Sequence, residues 1–333
     1  MLHTIEIAAF RADTVFLDAG TTQARAEYQR GQDEDALVRV HGPWGTGEAR
    51  AHDVYEALLR VRRDLEELGW FLAVNGARRD VVCLGQTRNW SGGTEVHRPD
   101  TETTTTLALF GPADPALVGT VAEQEELTRE HSPAADEPPE ITEEMRAVAR
   151  HQPNSWLYSI DAEFDPSSVV PPWGVRGGYR VDEHGHFGEY VPNPGYRPGP
   201  QALGWPRPTN QLERDLELAL SGYGPRETAL ATLLDWELTM AEYPDHPGEL
   251  FLSEEAGGSV LDACTSPERR PEEWTSCQAA QGRALLGFGG VRLRLNAGVT
   301  GALSATIPLQ DLIDFAAGEQ TAGRARSRGE LST

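Results

Sequence analysis

The clearest periodicity in the chain lies between Arg50 and Leu68, where Val54, Leu58, Val61, Leu65 and Leu68 recur at alternating steps of four and three. That spacing places them on one stripe of an α-helix, and Gly69 supplies the residue that ends it. Around this helix the apolar residues come in short runs. Val15–Leu17 and Ala36–Val40 predict strands. Trp70–Val74, Asn75-Gly76 and Asp80–Leu84 together predict a hairpin, and Gly92-Gly93 predicts a second turn before Thr94–His97. Residues 1–120 are therefore expected to form a small mixed sheet covered by one long helix, an α/β sandwich-like domain.

From Val121 the strand-like runs stop, and Glu, Ala and Pro dominate as far as Glu140, which reads as an acidic, Pro-rich linker over residues 121–140. Ile141–Arg150 predicts a short helix capped by Thr142, the start of a second domain spanning 141–316. Its first half is a leader rich in Pro and Trp, with a hairpin expected from Gly177–Val181 and Phe187–Val191 around Asp182–Gly185. Helices follow at Gln211–Leu220 and from Pro225, then short strands at Trp236–Met240, Leu250–Leu252, Gly258–Ala263, Val291–Asn296 and Ala302–Ile307. Pro308–Phe315 closes the domain as a helix. Residues 317–333 hold too few apolar side chains to fold and are expected to be disordered. Strands and helices without regular alternation make the fold class α+β, in two domains.

The length of 333 residues fits this division, since each part is long enough to bury a core of its own. Charge narrows the function classes. The chain has 52 acidic and 29 basic residues, a net charge of −23, and every basic residue is Arg. Without lysine there is no Schiff-base or P-loop lysine, and the acidic excess repels nucleic acid and anionic lipid. The apolar runs are far shorter than the ~20 residues of a membrane span, and the first residues lack the pattern of a signal peptide. No membrane insertion and a cytoplasmic location are expected. Cys83, Cys264 and Cys277 are too few and too scattered for a disulfide framework or a zinc site.

From Gly224 onward the order of segments is informative. Thr228–Leu238, Thr265-Ser-Pro-Glu-Arg269 followed by Trp274, Val291–Gly298 and Ala305–Leu309 together resemble the SseB N-terminal domain family. The chain departs from that pattern at Trp236, Cys264 and Ala297, positions that touch packing. Upstream, Pro153–Tyr158, Val170–Gly174, Tyr179–Asp182 and Pro192–Pro198 look like the leader of actinobacterial proteins associated with type VII secretion. The resemblance covers about 153–315. It implies an SseB-like α+β domain and a cytoplasmic accessory of a secretion locus, and it implies no active site.

Few residue groups have a spacing that could carry chemistry. The strand Ala36–Val40, the loop Gly42–Gly47 and the long helix have the layout that can hold an anion at a helix N-terminus, but Glu48, Ala49 and Arg50 stand where phosphate-binding motifs need other residues. Asp182, His184 and His186 alternate as metal ligands would on a strand, but Gly185 makes them a turn. Cys264 and Cys277 have no histidine nearby in sequence, and Ser91, Ser155 and Ser304 sit in no Gly-x-Ser-x-Gly elbow. No catalytic, cofactor-binding or metal-ligating residue is assigned. The candidate protein contacts are the aromatic Trp173, Tyr179, Tyr190, Tyr196 and Trp205, and Arg78 and Arg79 at the expected hairpin end. The expectation is a non-enzymatic protein-binding accessory or immunity-like protein of a type VII secretion or polymorphic-toxin locus. Its partner would be a basic secreted toxin or a secretion component. The alternative is a small-molecule or nucleotide-binding enzyme using the Gly42–Gly47 loop.

Overall fold

The computed structural model describes residues 2–12, 20–31, 36–99, 106–131, 138–165, 167–193, 195–243, 245–246, 248–255 and 258–318. The chain is α+β and divides into two compact units, Met1–Pro133 and Ala134–Thr333.

In the first unit, β1 (Leu2–Arg11), β2 (Thr22–Gln29), β3 (Ala36–Gly42) and β4 (Gly45–Ala51) pair successively as an antiparallel meander. After α1 (Val54–Glu67), β5 (Trp70–Leu72) returns antiparallel to β1, giving the order β4-β3-β2-β1-β5. The mixed sheet expected here is thus corrected to an all-antiparallel one, because every pairing in it, that of β5 with β1 included, is antiparallel. β2 gives little sequence signal because its buried positions are the alanines Ala24 and Ala26, which lie opposite Ile7 and Ile5 of β1. The strand expected at Val15–Leu17 lies outside the described residues.

α1 starts at Val54, the first residue of the apolar stripe, and not at Arg50, since Arg50 and Ala51 still belong to β4. Asp53 caps it, its side chain accepting the Glu56 N–H at 2.8 Å. Val54, Leu58, Val61 and Leu65 are buried, and on β4 the space above Gly47 is filled by Val61, whose methyl would lie 3.2 Å from any Cβ there.

Asn75-Gly76 is not a hairpin tip. Both residues are buried in a 3-10 turn, with the Asn75 and Gly76 N–H groups donating to Gly111 O and Leu109 O, each at 2.8 Å. A Cβ on Gly76 would come within 2.5 Å of Leu109, so this glycine serves close packing rather than chain reversal. The turn expected at Gly92-Gly93 is instead the left-handed end of α2 (Gly85–Ser91), after which β6 (Glu95–His97) pairs with β7 (Thr106–Ala108).

Residues 121–131, expected in the linker, form α3 (Val121–His131), with Val121 and Gln124 buried. Arg62 holds them there. Its side chain, 2% exposed, donates to Gly119 O at 2.7 Å and Gly76 O at 3.2 Å, pairs with Glu66 at 3.2 Å and bonds Gln124. A Glu-rich sequence becomes a docked helix because one buried arginine needs partners. Residues 132–137 lie outside the described set.

The second unit opens with α4 (Glu143–His151), capped by Thr142, and a three-stranded antiparallel sheet of β8 (Trp156–Ile160), β9 (Val175–Val181) and β10 (Phe187–Pro192), in the order β10-β9-β8. The β9–β10 hairpin matches its sequence signal. α5 (Gln211–Ser221), capped by Asn210, and α6 (Arg226–Asp235) pack together through Leu212, Leu216, Leu220, Leu230, Leu233 and Leu234. The remaining sheet is mixed: β11 (Glu237–Ala241), β12 (Leu252–Glu255), β13 (Gly258–Cys264), β14 (Cys277–Gln281), β15 (Arg292–Leu295) and β16 (Ala305–Pro308). Its order is β14-β11-β13-β15-β16, with β12 on β13 and only the β13–β15 pair parallel. β14, polar and alanine-rich, carries no strand signal of its own. A final helix, α7 (309–318), absorbs the first residues of the tail, and 319–333 lie outside the described residues.

Candidate protein-contact surface

Two turns that follow strands of the mixed sheet meet inside the second unit. Thr265, just after β13, and Asn296, in the left-handed conformation just after β15, meet there through the Thr265 N–H donating to Asn296 Oδ1 at 3.0 Å. Glu213 of α5 sits beside them, 3% exposed. It accepts Thr265 Oγ1 at 2.6 Å, the Thr209 N–H at 2.7 Å and a two-pronged pair from Arg269 at 3.0 and 3.1 Å. Burial pushes the Glu213 carboxyl up, but the bonds from Arg269, Thr265 and Thr209 outweigh it and hold the group at about 2. The cluster is closed and its acceptors are occupied, so it fastens α5 to two sheet turns.

The loop of the enzyme alternative has a different geometry from the one its sequence suggests. Gly42 and Gly45 are paired ends of β3 and β4, and Pro43-Trp44 is the tip of that hairpin. Two strands, not a helix, follow and precede the glycines, so no ring of backbone N–H groups is presented to an anion. Asp182, His184 and His186 form the expected turn: Asp182 Oδ1 accepts both histidine N–H groups at 2.8 Å, and the bond from His186 leads the causes that lower its carboxyl. Cys264 is buried and burial pushes its thiol up to about 12, while Cys83 is raised further by the same cause, so neither forms a ready thiolate.

The seven predicted contact residues fall in three places. Tyr179 and Tyr190 are core residues. Their rings lie 5.0 Å apart on the inward face of the β8–β10 sheet, and Tyr179 OH donates to Pro139 O at 2.8 Å. As surface anchors they are corrected. Trp173, Tyr196 and Trp205 are half-buried. Trp173 packs against Phe164 at 5.4 Å and Tyr223 at 4.9 Å, with Arg197 over its ring. Tyr196 OH donates to the fully buried Asp161 at 2.5 Å, which also accepts the Gly199 N–H at 2.9 Å. These aromatics organise the Pro-rich chain. Arg78 and Arg79 flank the buried turn rather than a hairpin end: Arg78 grips Asp80 at 2.7 and 2.8 Å, and Arg79 donates to Val118 O at 2.8 Å.

Other aromatic side chains are left in the open, among them Trp156, Tyr158, Tyr243 and Phe251. On the outward face of the β8–β10 sheet, Trp156 is 43% exposed, Tyr158 63% and Val191 51%. Register explains their grouping: Trp156 lies opposite Arg180, while Tyr158 and Val191 flank Gly178 from either side. The Trp156 and Tyr158 rings stack at 6.4 Å with 12° between planes. Both lean over Gly178, where a Cβ would meet Tyr158 at 3.1 Å and Trp156 at 3.4 Å. Arg180 is exposed beside them and makes no ion pair or side-chain hydrogen bond with any described residue. The signal is present in the sequence, because Trp156-x-Tyr158 and Gly178-x-Arg180 have the two-residue period of one sheet face. What the sequence lacks is which face the core takes.

Compared with protein-family models and with curated proteins, the chain matches none. The chemistry of the surface itself therefore carries the functional reading.

Proposed function

We propose that the chain is a non-enzymatic, cytoplasmic protein-binding accessory or immunity-like protein of a type VII secretion or polymorphic-toxin locus. The observation that carries the protein-binding part is the open aromatic face of the β8–β10 sheet. Exposed stacked rings on a rigid sheet are the side chains that anchor interfaces, and here they are surplus to a core already filled from the other face by Tyr179 and Tyr190. The secretion-locus part is supported by the resemblance of residues 153–315. The net charge of −23 favours a partner that is basic overall, a toxin or a secretion component, by speeding encounter at low ionic strength. No helix among the described residues is long and apolar enough to cross a membrane.

The test is affinity purification of the tagged full chain from its native host beside a Tyr158→Ala version, with mass spectrometry of the co-purifying proteins. A specific partner retained by the first and lost by the second supports the reading. Identical co-purification by both removes the sheet face from it.

A further inference from the structure

We infer that the open face of the β8–β10 sheet receives an extended segment of a partner protein that carries an apolar residue and, two positions away, an aspartate or glutamate. This deepens the protein-binding reading above and rests on it. The face has two rows one sheet period apart. In the first, Tyr158 and Val191 lie on either side of Gly178, which the aromatic rings cover, and make an exposed apolar row. In the second, Trp156 stands beside Arg180. Successive same-side residues of an extended chain repeat at about 6.6 Å, so a segment with its apolar side chain on the Tyr158 row puts its next same-side residue over Arg180.

Charge complementarity decides that residue. In a chain with 52 acidic and 29 basic residues, carboxylates are plentiful, and exposed arginines on the other open sheet face are paired, Arg25 with Glu27 at 3.4 Å and Arg39 with Glu48. Arg180 has no such partner among the described residues and projects from a sheet face whose neighbours are a tryptophan ring and a glycine. A carboxylate from outside completes it, and a guanidinium beside an aromatic ring is a fork suited to bind one. A lysine or arginine at that position would face Arg180 directly, so the face selects against it. The small span of the face, three short strands, suits a peptide segment rather than a second folded copy, whose interface needs about 800 Å² on each side.

The probe is an array of synthetic 11-residue peptides on Gly-Ser flanks, with Leu, Phe or Pro followed two positions later by Asp, Glu, Ser or Lys, and the labelled full chain is washed over it. The expected result is retention of the acidic peptides at least tenfold above the lysine series. Tyr158→Ala should abolish retention, and Arg180→Glu should transfer it to the lysine peptides. That reversal cannot arise from unfolding, and unchanged circular dichroism serves as the check for Tyr158→Ala. Retention of no peptide, or a preference that Arg180→Glu leaves unmoved, overturns the inference. If the array is blank while a host protein is still captured in a Tyr158-dependent way, the protein-binding reading stands and only this assignment of the segment falls.

Discussion

The five-stranded sheet of the first unit and the three-stranded sheet of the second each turn polar or aromatic side chains away from the core, and the chain treats those faces in opposite ways. In the first unit the open face is a lattice of alternating charge. Glu6 lies opposite Arg25, and Arg39 lies between Glu27 and Glu48, with His41 3.7 Å from Glu27. These two rows set opposite charges against one another, which satisfies that part of the surface internally and gives an outside chain little to gain there. In the second unit the corresponding face carries stacked rings that cover a glycine, and an arginine without a partner among the described residues. The same local geometry, an antiparallel sheet with one side in the core, thus yields a self-satisfied surface in one place and an unsatisfied one in the other. Unsatisfied surfaces are where binding free energy remains to be gained.

The comparison can be tested against the interior first, where the largest effect is expected. Arg269→Ala leaves Glu213 buried without its strongest partner and should destabilise the second unit by about 3–5 kcal/mol, read from urea unfolding. A loss below ~1 kcal/mol would mean that buried and surface pairs here are equivalent. Acid should act on the same pair. Glu213 has a folded-state value of about 2 against an ordinary 4.5, so its contribution is complete above pH 4.5 and is lost as pH falls from there towards 2. Unfolding midpoints measured between pH 6 and 2.5 should fall in that window, and less steeply in Arg269→Ala.

Smaller effects separate the two open faces. Tyr158→Ala should change stability by no more than ~0.5 kcal/mol, as expected of an exposed side chain, while weakening capture of the partner tenfold or more. Thermal melts and quantitative pull-downs on the same preparation would show the split, and equal losses in both would make Tyr158 a packing residue. The smallest change belongs to the charged lattice. Arg39→Ala, alone or with Glu48→Ala, should leave melting temperature and partner capture nearly unchanged, and added salt should erase what difference there is. A clear loss of capture in Arg39→Ala would move the contact surface to the first unit.

Elements with a strong local signature are legible in the amino-acid sequence alone. α1 has four buried apolar residues on one stripe, Val54, Leu58, Val61 and Leu65, and a glycine just past its end, and the β9–β10 hairpin has alternating strands around an Asp-Glu-His-Gly turn. Elements whose stability comes from elsewhere are not. β2 buries alanines that look neutral in sequence, and α3 reads as linker because only Val121 and Gln124 among its residues are buried. Asn75-Gly76 is deceptive for the same reason: the dipeptide is a turn signal, but here its backbone bonds Leu109 and Gly111, more than thirty positions away.

The α+β class, the long helix and the period-two pairs Trp156/Tyr158 and Gly178/Arg180 follow from residue order alone, because side-chain direction in helices and strands is a local property. The absence of lysine and the acidic excess are equally independent of fold. Which side of a strand faces the core is not local. Trp156, Tyr158, Tyr179 and Tyr190 are all aromatic, and only the packing of Tyr179 against Tyr190, Phe187 and Pro139 turns one pair inward and leaves the other in solvent. Burial is a property shared among distant segments, so the contact surface is decided by tertiary structure.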